Sequence, residues 1–281
     1  MFTIGIDPVA FTIGSFTVRW YGILVAVAVI TLLVVTFREI KKPVIFQDII
    51  YSLFLWGIIG GFIGARLVHI VDHVVTNWEY YRINPGAIFG YIVGLAGLSL
   101  YGAIIGGVVG GWIYMRVKRI PFSSLAGVGD ALAVGAPLAQ AIGRVACTIN
   151  GCCFGILAPN LPWAVVYTHP NSSAPLGVPM HPAQIYFLLW NLIVFAVIWR
   201  LRGRLKPQGS LFFLYLCLYA AGDFGLRFFR VNEPFLALGN FSLQQGQVIS
   251  LAILVIALPW LIIRMHKFQL SCHSEPQAKN L

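Results

Sequence analysis

The chain has 281 residues, of which 59% are hydrophobic and 10% charged, with a formal net charge of +10. A soluble domain carries about 45–50% apolar and about 25% charged residues, so this chain cannot cover itself with polar surface, and its solvent is lipid. No RNA-binding motif or basic amphipathic repeat makes nucleic acid the partner of the positive charge, which instead fits cytoplasmic loops rich in Lys and Arg.

The first segment, Met1 to Val18, has no basic n-region and no clear cleavage site, so it does not read as a removable signal peptide. Seven apolar stretches follow, near Trp20–Phe37, Phe46–Val71, Phe89–Met115, Ser124–Asn150, Pro182–Leu201, Ser210–Phe229 and Gln244–Ile263. Each is long enough to cross about 30 Å of hydrocarbon, which takes about 20 helical residues. The expected fold is an all-α membrane protein: a single polytopic domain over residues 1–281, with a bundle of about seven transmembrane helices. The glycine-rich third and fourth spans admit a broken or partly re-entrant path. Gly60 and Gly64, Gly102 and Gly106, and Gly107 and Gly111 each fit GxxxG, the spacing that lets helix backbones approach closely in lipid.

Orientation follows from the basic residues. Arg38, Lys41 and Lys42 follow the first span, and Arg116, Lys118 and Arg119 the third. Arg200, Arg202, Arg204 and Lys206 follow the fifth, and Arg264, Lys267 and Lys279 the seventh. These thirteen of nineteen basic residues fall on alternate loops. The positive-inside rule makes that side cytoplasmic, with the N-terminus outside and the C-terminus in the cytoplasm.

Residues 151–181 form the one long loop, which contains five prolines and no Asp, Glu, Lys or Arg. Trp163, Val165, Val166 and Tyr167 make it too apolar for simple disorder. It reads either as an ordered cap on the outer membrane surface or as a plain structural external loop.

Charges inside apolar spans carry the most information, because an arginine at mid-bilayer costs about 2.5–3.5 kcal/mol on insertion scales. Arg66, Arg144, Arg227 and Arg230 lie within or at the ends of such runs, with Asp48, Asp130 and Asp223 as expected counter-charges. Four cations against three anions leave one in excess, which suits an anionic ligand such as a lipid phosphate. The planar guanidinium can donate two parallel hydrogen bonds to phosphate oxygens and keeps its proton in a low-dielectric site. Each arginine can equally serve only as the partner of an aspartate.

Arg144 opens a polar cluster that runs from Gly143 to Gly155 and contains Cys147, Asn150, Gly151, Cys152 and Cys153. Its glycines admit a headgroup close to the backbone, and Asn150 offers a donor and an acceptor. In the sixth span, Asp223, Arg227 and Arg230 are spaced four and three apart, which places them on one helical face. Asp223 is expected to hold Arg227 and leave Arg230 nearer the outer surface.

The sequence assigns no cofactor and no metal. Cys147, Cys152 and Cys153 lack a well-spaced His partner for zinc, and adjacent cysteines do not readily form a compact ligand pair. A Cys147–Cys152 disulfide stays open on an oxidising side. His69 and His73 share a helical face without a carboxylate triad and read as polar anchors.

The order of these motifs resembles the prolipoprotein diacylglyceryl transferase family, over roughly Arg19 to Leu261. Trp20-Tyr21-Gly22 resembles the family's opening WYG, and Gly64-Ala65-Arg66-Leu67 its GxRL. Gly143-Arg144, Asn150-Gly151 and Gly155 occupy the place of the signature GRxxNFxNxExxG. His181-Pro182-Ala183-Gln184-Ile185-Tyr186 is similar to HPxQLYE. Leu218-Tyr219, Arg230, Gly246-Gln247 and Ser250 follow the last two spans.

The departures are specific. Cys147 stands for the signature's first Asn and Cys152 for its Glu. Tyr101-Gly102-Ala103 replaces HGG, so Tyr101 takes the place of an essential His. Phe187 replaces the final Glu of HPxQLYE, and Asp223 and Arg227 carry exchanged charges. The chain resembles a divergent member.

The resemblance implies a transferase of the bacterial cytoplasmic (inner) membrane. It would move a diacylglyceryl group from phosphatidylglycerol to the lipobox cysteine of a prolipoprotein signal peptide and form a thioether. It implies Arg144 on the phosphate with Arg227 or Arg230 assisting, and Asn150, Gly155, Tyr21, Arg66 and Gln184 on the substrate. Tyr101 is the proton acceptor by position alone. Two other readings stay open: a related transferase with a different acceptor, and a lipid-binding or transport protein without chemistry.

Overall fold

The computed structural model describes residues 1–14, 16–40, 44–86, 100–121, 125–231, 234–238 and 241–274. They fall into two compact units, Met1–Ile40 with Leu125–Leu281, and Lys41–Ser124.

In the first unit, β1 (Phe2–Ile4) precedes the hairpin of β2 (Val9–Ile13) and β3 (Phe16–Arg19). Helix α1 (Trp20–Glu39) starts directly after Arg19, which is still extended. After the second unit come α5 (Leu125–Asn150), β4 (Val165–Tyr167), α6 (Ala183–Leu201) and α7 (Ser210–Leu226). A 3-10 turn (Arg227–Phe229), the hairpin of β5 (Pro234–Leu238) and β6 (Phe241–Gln244), and α8 (Gln245–Ser274) complete it. Helix α1 packs on α5, α5 on α6, α6 on α7, and α7 on α8.

Packing inside the unit relies on small residues and one tight aromatic fit. Ala133, Val134, Val194, Ile198, Leu211 and Tyr215 form one buried cluster. A Cβ on Gly222 would collide with the Trp190 indole, so only glycine lets α6 and α7 approach here. The indole N–H donates to the Leu218 carbonyl at 3.0 Å. The outward faces are as apolar as the interior: Ile30 is 58% exposed and Val255 70%. Such a surface is stable only against hydrocarbon.

Among the described residues, six helical stretches are long and apolar enough to cross a membrane: Trp20–Glu39, Asp48–Thr76, Ala126–Asn150, Ala183–Leu201, Ser210–Phe229 and Gln245–Leu270. The third expected span, Phe89–Met115, falls on α4 (Leu100–Val117) and on residues 89–99, which lie outside the described residues. The fold is the expected all-α membrane bundle. The fourth span is one unbroken helix of 26 residues, despite its glycines and Pro137.

Among the described residues, Asp130 forms no salt bridge with an arginine of the spans. Its carboxylate accepts the backbone N–H groups of Gly209 at 2.6 Å and Phe212 at 3.0 Å. It thus caps α7 from a neighbouring helix, because the first N–H groups of a helix have no partner of their own. Gly209, at φ 93°, supplies the left-handed turn that lets the chain enter α7.

The long loop is an ordered cap. Strand β4 pairs in parallel with β1, matching Val165 to Phe2 and Tyr167 to Ile4. Single bridges join Leu157 and Val165 to Met180. Tyr167 and Met180 are each 1% exposed. The Tyr167 hydroxyl donates to the Thr148 carbonyl at 3.0 Å and so ties the cap to the end of α5. Burial pushes the Tyr167 phenol up from its ordinary range, so it stays a neutral donor.

In the second unit, α2 (Val44–Thr76) is followed by α3 (Trp78–Ile83) and by α4, which packs along α2. The glycine pairs lie at this contact. A Cβ on Gly60 would strike the Gly106 carbonyl, and one on Gly64 the Gly102 carbonyl. Gly111 is looser, facing only the Leu53 side chain at 3.4 Å. Asp48 is exposed near the start of α2.

Candidate active site

Within the first unit the polar residues of α1, α5, α7 and the cap converge at one end of the helices. Arg144 lies two turns before the end of α5. Its guanidinium carbon sits 4.3 Å from the centroid of the Phe187 ring on α6. Phe187 is buried and holds the cation by its π-face. Among the described residues, no carboxylate or hydrogen-bond acceptor engages the Arg144 guanidinium. Its N–H donors therefore remain for a ligand.

Asn150, the last residue of α5, joins distant parts of the chain. Its Oδ1 accepts from Arg19 Nη1 at 3.4 Å, and its Nδ2 donates to Ser173 Oγ at 3.3 Å. Arg19 is a further cation of this region that sequence reasoning passed over; its place directly before Trp20-Tyr21-Gly22 was the available signal. Tyr21 is 41% exposed and lies within electrostatic range of Arg144 and the three clustered cysteines.

Gln184 is held by protein. It is 1% exposed, and its amide donates to the Cys152 carbonyl at 3.0 Å and to the Tyr167 hydroxyl at 3.3 Å. Its place fixes the turn after α5. Gly155 is likewise held by protein: a Cβ there would collide with the His181 carbonyl. Its backbone forms a bridge with Arg230.

The Asp223–Arg227 pair is present as expected, with Arg227 Nε donating to Asp223 Oδ2 at 2.6 Å. Ser250 Oγ donates to the same oxygen at 2.8 Å. Gly246 leaves room for the Arg227 guanidinium, which a Cβ would overlap. Arg230 departs from the expected helical face. Helix α7 ends at Leu226, and Arg230 is extended at φ −110° and ψ 140°. Gln244 Nε2 donates to the Arg227 carbonyl at 3.0 Å and the Arg230 carbonyl at 3.3 Å, satisfying acceptors that a continued helix would have used. Arg230 lines a cavity of about 310 Å³ with Ile156, Phe228, Ser242, Gln244 and Gln247. Among the described residues, its buried Nε has no hydrogen-bond partner.

Arg66 and Tyr101 belong to the second unit, on α2 and α4. Arg66 is half-buried. The Tyr101 backbone is helical, and its side chain lies outside the described residues.

The three cysteines are free thiols, not a Cys147–Cys152 disulfide. Their sulfurs lie within 4.8 Å of one another. Adjacent cysteines do not readily form a compact ligand pair, and here they come together for a backbone reason. Cys153 takes φ 61° directly after the turn at Gly151, φ 75°, which swings its side chain back beside Cys147. The Cys147 and Cys152 thiols and then Arg230 and Arg144 hold the Cys153 thiol well below its ordinary range.

The family model for prolipoprotein diacylglyceryl transferase matches residues 8–263. The chain belongs to this family. It is 42% identical to the phosphatidylglycerol–prolipoprotein diacylglyceryl transferase of Dehalococcoides mccartyi strain 195, over 95% of this chain and 97% of that one. Identity to the enzyme of the same name from Clostridioides difficile strain 630 is 36%, covering 87% of this chain and 90% of the other. For that of Staphylococcus aureus strain MRSA252 it is 30%, covering 97% and 94%. Two departures from the family signature, Cys147 and Cys152, are thus two of the three converging sulfurs.

Proposed function

We propose that this family member transfers a diacylglyceryl group from phosphatidylglycerol to the lipobox cysteine of a prolipoprotein signal peptide. The acceptor sulfur attacks the glyceryl carbon that carries the phosphate. The carbon–oxygen bond breaks, glycerol phosphate leaves with the electron pair, and the new bond is a thioether.

The observation that carries this reading is the Arg144 guanidinium, fixed on Phe187 by its face and with its N–H donors uncommitted among the described residues. A fixed cation in low dielectric stabilises the charge that develops on a departing phosphate, and it does so without reorganising at the moment of reaction. Arg230, beside its cavity, takes the second place on the anion. Arg227, committed to Asp223, acts by holding the end of α7. Asn150 and Gly155 shape the mouth of the site through Arg19, Ser173 and Arg230. Tyr21 orients the lipid glycerol region. By the resemblance alone Tyr101 stands where the family has its essential His, and its reference pKa of about 10, against about 8.5 for cysteine, makes it a poor match for a proton acceptor.

Membrane placement completes the proposal. The chain is a multi-pass protein of the bacterial cytoplasmic membrane, with the N-terminus and cap outside and the C-terminus inside. Complementation of a strain depleted of its own transferase tests the reading, with a reporter lipoprotein followed by gel shift. Wild-type chain restores the shifted band. No shift with wild type rejects the transferase and favours the lipid-binding alternative.

A further inference from the structure

We propose that Cys147, Cys152 and Cys153 bind a zinc ion whose fourth position takes the acceptor cysteine thiol. This rests on the transferase reading above and adds to it a metal and the group that ionises the acceptor.

Geometry carries the metal. Three sulfurs within 4.8 Å of one another are close to what one ion needs. A tetrahedral zinc with bonds of about 2.3 Å sets its sulfurs roughly 3.8 Å apart, so small side-chain rotations close the set. Thiolates select soft ions of this kind. Cys147 is fixed by α5, and Gln184 pins the carbonyl of Cys152 at 3.0 Å. Cys153 stands at φ 61°, a left-handed conformation that a non-glycine residue rarely adopts. Such strain persists where the surrounding structure enforces it, as at ligand clamps. On Gly151 a Cβ would collide with Ser172, so the turn is also packed from outside.

Charge agrees with geometry. Zinc with three thiolates carries one net negative charge, and Arg144 and Arg230 both place positive potential on Cys153. Three protein ligands leave one tetrahedral position open, the arrangement of catalytic and not structural zinc.

The reaction supplies the reason for such an ion. The acceptor thiol must lose its proton before its sulfur can attack carbon, and a thiol bound to a metal is deprotonated outright. The thiol enters the open position and releases its proton to solvent. Its sulfur then displaces glycerol phosphate, and the thioether product, now a weak ligand, departs. Zinc thereby replaces the imidazole that Tyr101 cannot supply.

Cobalt substitution of the full-length chain, in detergent with a non-thiol reductant and without oxygen, tests this. About one Co²⁺ per chain is expected, with sulfur-to-cobalt charge-transfer bands in the near ultraviolet and strong visible bands of tetrahedral geometry. Cys147→Ser and Cys152→Ser should lose the bound metal while retaining the wild-type helical spectrum. A peptide bearing the lipobox cysteine should shift the visible bands, and the same peptide with serine should not. The proposal is overturned by wild-type protein that binds no stoichiometric metal. It is equally overturned by serine variants that bind as much as wild type, or by a cobalt spectrum that the cysteine peptide leaves unmoved. Full lipidation by metal-free protein would also overturn it and leave the transferase reading intact. Cobalt binding with a thiol response but no lipidation would instead sink the transferase reading.

Discussion

Arg144 is held by a ring face, which fixes its position without using its hydrogen bonds. The geometry predicts that Arg144→Lys fails although it keeps the charge. A lysine cannot make the parallel pair of bonds to phosphate and loses the stacked contact on Phe187. The rate of reporter lipidation should fall by about 10²-fold or more in both Arg144→Lys and Arg144→Ala. Asp223 sets a different kind of expectation. It is 3% exposed and receives Arg227 and Ser250 on one oxygen. Asp223→Ala leaves a buried guanidinium without its partner, a change that costs about 3–5 kcal/mol. Thermal unfolding in detergent should show this loss. Asn at the same position, which keeps an acceptor, should lose less.

At the scale of elements, the ends of helices and the cap hold the arginines in register. Gly155→Ala should separate the Gly155–Arg230 bridge, because the added carbon meets the His181 backbone, which cannot give way as a flexible side chain would. Activity should fall sharply, and the loss should not be rescued by raising lipid concentration.

The N-terminal segment gives a pH prediction. The Asp7 carboxylate accepts from the Val9 N–H at 2.9 Å and from Asn171 Nδ2 at 3.1 Å. These bonds, Val9 first, hold its pKa below the ordinary value. Its contribution is therefore present above the usual carboxylate range and is lost as pH falls through the lower folded value. The protection of the Val9 amide, its exchange corrected for the intrinsic rate at each pH, should fall on acidification, and Asp7→Asn should remove most of that dependence.

Much at this scale was legible from hydropathy alone, since apolar runs of about 20 residues have few alternatives. The Asp223–Arg227 pair was also legible, because a spacing of four is local to a helix. What escaped was what depends on distant chain: Arg19 on Asn150, Asp130 capping α7, and the turn of Arg230 into a bridge with Gly155. The convergence of three sulfurs escaped because it depends on a positive φ at Cys153, which composition does not announce.

For the whole molecule, the surface states the solvent. Exposed Ile30, Val255 and Ile256 would form aggregating patches in water and are at rest in hydrocarbon. The proposed orientation, with the C-terminus inside, predicts that a C-terminal reporter active only in the cytoplasm is active here and that one active only outside is silent. The central claim is that a guanidinium within the lipid-embedded bundle grasps the phosphate of a phospholipid while sulfur attacks its glyceryl carbon. Its most direct test is glycerol phosphate release in proteoliposomes that contain phosphatidylglycerol and a lipobox peptide. Release matched one for one by thioether formation is expected with the wild-type chain, and almost none with Arg144→Lys. Equal release by the two proteins, or none by the wild type, would contradict it.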